Sequence, residues 1–176
     1  MLLYTVVAVI HSVNSAALTA NHRASCQYLQ TLSFKFEIII LSEIWSYYIE
    51  FYGNILPGYT FHYVLHSSSS LGGIGMYIKS KYAQVVLNNY VFCSSINCQR
   101  ENLWIEITHG EIKYTIGGTY RHPNGIVSEF CNNFERTLHK ISQQNIPCII
   151  AGDLNINLLK CNSDRHTDEY FLKKTC

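Results

Sequence analysis

Ile149-Ile150-Ala151-Gly152-Asp153-Leu154-Asn155 is an apolar run that ends in a glycine and then presents an acid and an amide two positions apart. In a strand, residues i and i+2 point to one face, so the pattern predicts that Asp153 and Asn155 converge where a buried strand emerges. Oxygen donors of this kind suit a hard cation or a phosphoryl group, which points to hydrolysis of a phosphate ester. A strand followed by Gly-Asp also occurs in α/β proteins of every function, so the weight of the motif depends on its surroundings.

Upstream, Asn145-Ile146-Pro147 ends a predicted helix that Ser128 caps and that runs to about Gln143, with Phe130, Phe134, Leu138 and Ile141 spaced for burial. Before it, Pro123-Asn124-Gly125 is a turn signal. Leu103–Ile107 and Ile112–Tyr120 flank a turn at Gly110 and are expected to pair antiparallel. Further strands are expected at 3–10, Phe36–Leu41, Gly58–Leu65, Ile74–Ile78 and Val85–Phe92, with a short helix at 22–33. The near-continuous apolar run at 36–41 belongs in a sheet centre covered on both faces. This order predicts an α/β fold of layered, mixed β-sheets flanked by helices, with no internal repeat. From Asn157 the chain turns polar, with a short helix expected at 167–174 and no further strand. Residues 1–160 are therefore read as one domain and 161–176 as a polar tail.

The 176 residues, 48% of them hydrophobic, suffice for one well-filled core. A formal net charge of +1 argues against a strongly basic DNA-binding module, so nucleic-acid contact would be local, through Arg121, Arg100 or Lys79. Such a charge says little about a hydrolase that holds its substrate through metal. Seven cysteines without a CxxC pair complete no zinc site, and reduced, intracellular thiols are expected. Cys148, inside the apolar run, reads as a small core residue. The apolar opening is too short to span a bilayer and lacks a basic leader, so it reads as a first strand, with a poor signal peptide as the alternative; no membrane partner is expected.

Glu43 follows the 36–41 strand, where α/β sheets favour ligand groups, and its carboxylate suits Mg²⁺. A solvated or helix-capping glutamate beside a packed Trp45 reads equally well. Asn14, after the first strand, is able to orient a phosphate or to ligate the same ion, although an ordinary loop residue explains it too. Tyr120-Arg121-His122-Pro123-Asn124 closes another strand. There a tyrosine hydroxyl can donate to a phosphoryl oxygen and Arg121 can fork onto two. His122 has no acid partner placed by sequence and reads as a loop histidine. No G-x-S-x-G elbow or organised Cys/His pair supports a different hydrolase chemistry.

Four segments together resemble the endonuclease/exonuclease/phosphatase family, and within it the endonuclease of non-LTR retrotransposons. Ile39-Ile40-Leu41-Ser42-Glu43-Ile44-Trp45 is similar to that family's "(I/L)-(S/T)-E-T-W", and Leu71-Gly72-Gly73-Ile74-Gly75-Met76-Tyr77-Ile78 to its "GG-x-(A/G)-x-Y" strand. Gly118-Thr119-Tyr120-Arg121-His122-Pro123-Asn124 resembles "G-x-Y-R-P-P-N", and Ile150-Ala151-Gly152-Asp153-Leu154-Asn155 resembles "(I/L)-x-G-D-(F/L)-N". The resemblance implies a Mg²⁺-dependent DNA endonuclease, Mn²⁺ being an acceptable substitute, fused in full-length relatives to a reverse transcriptase. The location expected is intracellular, with the nucleus left open. The resemblance also places the metal on Glu43, catalysis on Tyr120, Asp153 and Asn155, and substrate contacts on Arg121, Asn124 and Asn14.

The chain departs from that pattern twice. Where the family reads "H-x-N-x-R-S-L", this chain has His11-Ser12-Val13-Asn14-Ser15-Ala16-Ala17, with the asparagine one position late and no arginine. Family members also continue for several strands to a Ser-Asp-His motif. Ser163-Asp164-Arg165-His166 begins only ten residues after Asp153 and reads as a polar loop. The expectation is a domain incomplete at its C-terminus, its activity lost or impaired, with a non-catalytic remnant and another phosphoesterase of the family as alternatives.

Overall fold

The computed structural model describes residues 7–11, 28, 31, 36–42, 44, 49–65, 73–92, 102–123 and 125–156. In chain order the elements are β1 (Val7–His11), β2 (Ile38–Ser42), α1 (Ile49–Tyr52), β3 (Tyr59–Leu65), β4 (Gly73–Lys79) and β5 (Ala83–Val86). A 3₁₀ turn (Asn88–Tyr90) then leads to β6 (Asn102–His109), β7 (Ile112–Tyr120), α2 (Val127–Ser142) and β8 (Cys148–Asp153). Of the helix expected at 22–33, Tyr28 and Thr31 are helical, and the rest lies outside the described residues. So do residues 3–6, Cys93, Cys98 and everything from Asn157 onward.

Period-two burial on the strands produces the layers. Two four-stranded sheets, ordered β1-β2-β4-β3 and β5-β6-β7-β8, stack face to face. Ile38, Ile40, Ile74, Met76 and Ile78 of the first sheet meet Leu103, Ile105, Ile107, Ile116 and Tyr120 of the second. The alternate residues face outward. Ile39, Leu41 and Tyr77 pack under Tyr52 and Leu56, while Trp104 packs under Phe130, Phe134 and Ile141 of α2. Because both of its faces are covered, every residue of β2 is buried, which explains its unbroken apolar sequence. Pairing is mixed as expected: β1 with β2 and β7 with β8 are parallel, and the remaining pairs are antiparallel.

Three local expectations are corrected. The strand expected at 85–92 ends at Val86, because Asn88 and Asn89 turn the chain and drop Tyr90 into the cluster beneath α2. Helix α2 starts at Val127 with Ile126 at the cap position and no side-chain cap, so Ser128 lies inside the first turn beside Glu129. Cys148 is exposed at the opening of β8 rather than buried in the core. At the end of the first sheet where β2 begins, Glu37 gathers Lys79 at 2.5 Å, Lys81 at 2.9 Å and the Tyr82 hydroxyl at 2.5 Å. Burial opposes ionisation of Glu37, but the hydrogen bonds from Lys79, Tyr82 and Lys81 and the Lys79 charge outweigh it and hold the carboxyl at about 2.

Candidate active site at the carboxyl ends of four strands

Both parallel pairs end in register, His11 opposite Ser42 and Tyr120 opposite Asp153. The packing of the sheets brings these ends together. A Cβ on Gly118, two residues before Tyr120, would touch Ile74 at 3.1 Å and Ile40 at 3.4 Å, and Ile74 is itself the register partner of Ser42. The chain therefore leaves β2 at the end of the sandwich where Tyr120 and Asp153 emerge, the end at which α/β sheets place ligands. Ser42 and Ile44 are both fully buried, and the Ile44 amide donates to the Gly73 carbonyl at 3.3 Å. Glu43 between them, together with Asn14 and Asn124, lies outside the described residues.

Tyr120 is buried on the inner face of β7, and strand alternation puts Asp153 on the same inner face as Ile149 and Ala151. Gly152 makes the approach between the two strands possible. Its φ is +152°, and a Cβ there would lie 1.7 Å from the Thr119 carbonyl oxygen. Asn155 comes to the site by a different route from the one expected. The strand stops at Asp153, and Asn155 takes a left-handed φ of 48°, so i/i+2 alternation does not orient it. Its backbone N–H instead donates to Asp153 Oδ1 at 2.8 Å, and its side-chain Nδ2 donates to the Arg121 carbonyl at 2.8 Å.

Arg121 is where the geometry departs most from the expected substrate fork. It is 2% exposed, and its guanidinium is spent on backbone carbonyls. Nε donates to Leu154 at 2.6 Å and Nη2 to Asn155. Nη1 donates to His122 at 3.0 Å, Pro123 at 3.4 Å and Gly125 at 2.8 Å. An unsolvated cation is costly unless its donors are satisfied, and here carbonyl dipoles do what water would have done. Burial pushes the nearby Cys131 thiol up, with the Arg121 charge opposing. No sequence periodicity marks a buried arginine, so this role is not legible in the motif. The only signal was its position between a strand end and a Pro-Asn-Gly turn.

Neither the models of known protein families nor the sequences of curated proteins match the chain. Solved structures do match it. The endonuclease domain of TRAS1, a telomere-specific non-LTR retrotransposon, superposes with a TM-score of 0.65 at 11% identity, over 93% of this chain and 68% of that one. D. rerio TDP2, complexed with a single-strand DNA product, gives 0.67 at 16% identity, over 93% of this chain and 63% of that one. The chain has the endonuclease/exonuclease/phosphatase fold. A Bacteroides thetaiotaomicron mannosyl-6-phosphatase with this architecture matches at 0.66 and 13% identity, over 95% of this chain and 70% of that one. The chain thus spans about two thirds of the length of these structures.

Within the endonuclease/exonuclease/phosphatase fold, the described residues bring together Tyr120, Arg121, Asp153 and Asn155. Among the described residues, no three His, Cys, Asp or Glu side chains gather into a metal cluster. The donor chemistry still fits a hard divalent ion: Asp153 offers a carboxylate, and Asn155, whose Nδ2 is held by Arg121, offers an amide oxygen. Among the described residues, no helix is long and apolar enough to cross a membrane.

Proposed function

We propose that this chain is a divalent-metal-dependent phosphodiester hydrolase of the endonuclease type, using Mg²⁺ or Mn²⁺ on a DNA substrate. The observation that carries the reading is the in-register pairing of Tyr120 with Asp153 at the same end of the sandwich as the residues flanking Glu43. Similarity to the TRAS1 endonuclease domain and to TDP2 with bound DNA product supports DNA as the polymer. Glu43 would hold the ion, with Asn14 as a substrate contact. When bound, the ion supplies Lewis-acid stabilisation of charge developing on the phosphoryl oxygens. Asp153 accepts a hydrogen bond from the attacking water and aims it. Asn124 and the second Nδ2 hydrogen of Asn155 hold the scissile phosphate, and the Tyr120 hydroxyl donates to one of its oxygens.

The test is nicking of supercoiled plasmid by the purified chain, beside a Glu43→Ala variant whose fold is checked by far-UV circular dichroism. Mg²⁺-dependent nicking that EDTA and Glu43→Ala both abolish would bear out the hydrolase reading. A second reading is a folded, non-catalytic domain, favoured by a Ser-Asp-Arg-His segment that begins only ten residues beyond Asp153. Mg²⁺ and DNA binding without strand cleavage would select it. Hydrolysis of a small phosphomonoester with no action on plasmid would instead place the chain with the phosphatases of this fold.

A further inference from the structure

We infer that Arg121 is the positioning residue of this centre, a buried cation that locks the turn after β7 to the turn after β8 and so sets where Asp153 and Asn155 stand. One planar group reaches both segments: Nη1 collects the carbonyls of His122, Pro123 and Gly125 on one side, while Nε and Nη2 take those of Leu154 and Asn155 on the other. The contacts are returned. The Arg121 amide donates to the Asp153 carbonyl at 2.9 Å, and Asn155 Nδ2 donates to the Arg121 carbonyl at 2.8 Å. The left-handed Asn155 is thereby held on three sides, by its own carbonyl, its side-chain amide, and a backbone N–H bonded to Asp153 Oδ1. Only a rigid fork of five donors satisfies this set; an ammonium is a compact point donor that does not span both segments. At 2% exposure Arg121 does not reach substrate, so its effect on the reaction passes through Asp153 and Asn155.

Only the kinetic arm of the test rests on the proposed hydrolase activity. Arg121→Lys, which keeps the charge and removes the fork, is compared with wild type by peptide-resolved hydrogen exchange and by steady-state nicking. The expected result is exchange about tenfold faster or more in peptides covering 121–125 and 153–156, with β6 and α2 unchanged. With it, kcat falls on the order of 100-fold and KM moves little, because misplacement of about 1 Å removes transition-state alignment rather than binding. Unchanged exchange in those two segments overturns the inference, as does loosening spread across β6 and α2. A rise in KM with kcat preserved overturns it too, since that marks a substrate contact. If wild type does not nick DNA but the exchange pattern appears, the hydrolase reading fails and the clasp stands. Should Arg121→Lys not fold, the wild-type Arg121 side-chain N–H resonances decide: slow exchange and hindered rotation support the clasp, and free rotation overturns it.

Discussion

Replacing Gly152 with alanine places a methyl group where the structure has the carbonyl of the neighbouring strand. The new Cβ would sit 1.7 Å from Thr119 O, 2.7 Å from Thr119 C and 2.9 Å from Thr119 N, all backbone atoms that no rotamer change removes. To reach even a 3.0 Å separation, the carbonyl must retreat by 1.3 Å, and a φ of +152° adds a conformation that alanine resists. Backbone strain of this kind costs about 1–3 kcal/mol, and each ladder bond lost between β7 and β8 adds about 1 kcal/mol. A total of about 3 kcal/mol is expected, which for a chain of this size lowers Tm by roughly 6–12 °C. The same displacement separates Tyr120 from its register partner Asp153, so nicking should fall on the order of 100-fold in whatever fraction remains folded. Thermal denaturation followed by circular dichroism, with nicking assayed well below Tm, reads both quantities. A Gly152→Ala chain with wild-type Tm and wild-type nicking would refute the parallel β7–β8 register on which the site is built.

Glu37→Gln should destabilise the chain by roughly 2 kcal/mol at pH 7: a carboxyl held at about 2 against an ordinary 4.5 corresponds to about 3 kcal/mol, which solvent screening of this partly solvated group reduces. The sign follows from that depression: the contribution is complete above about pH 5 and drains away as pH falls toward 2. Urea midpoints of wild type and variant should therefore converge on acidification, and a gap independent of pH would rule out the ionised carboxylate as its source. Phe130→Ala removes a 1%-exposed ring stacked on Phe134 at 5.6 Å and edge-on to Phe92 at 5.7 Å. It should cost about 3–5 kcal/mol in urea unfolding; a loss under about 1 kcal/mol would mean that α2 does not seal the outer face of the second sheet.

Local pattern carried much of this architecture. Apolar runs located β2 and β8, and the spacing of Phe130, Phe134, Leu138 and Ile141 located α2. The turn at Gly110 announced the β6–β7 hairpin, whose partners are close in sequence. The chemistry-bearing segments were legible as well, because a motif is a local string and the strand ends fall where those strings stop. Tertiary structure decided what depends on distant partners. The parallel register of β7 and β8, reached through α2, is what sets Tyr120 against Asp153. The left-handed turn at Asn155, rather than strand alternation, is what delivers its amide. Arg121 changes from a presumed phosphate fork to a buried clasp only when the carbonyls of Leu154 and Asn155 arrive from 33 and 34 residues away. Periodicity encodes which face of an element is covered. It does not encode which polar groups will surround a buried cation, since those are supplied by the fold.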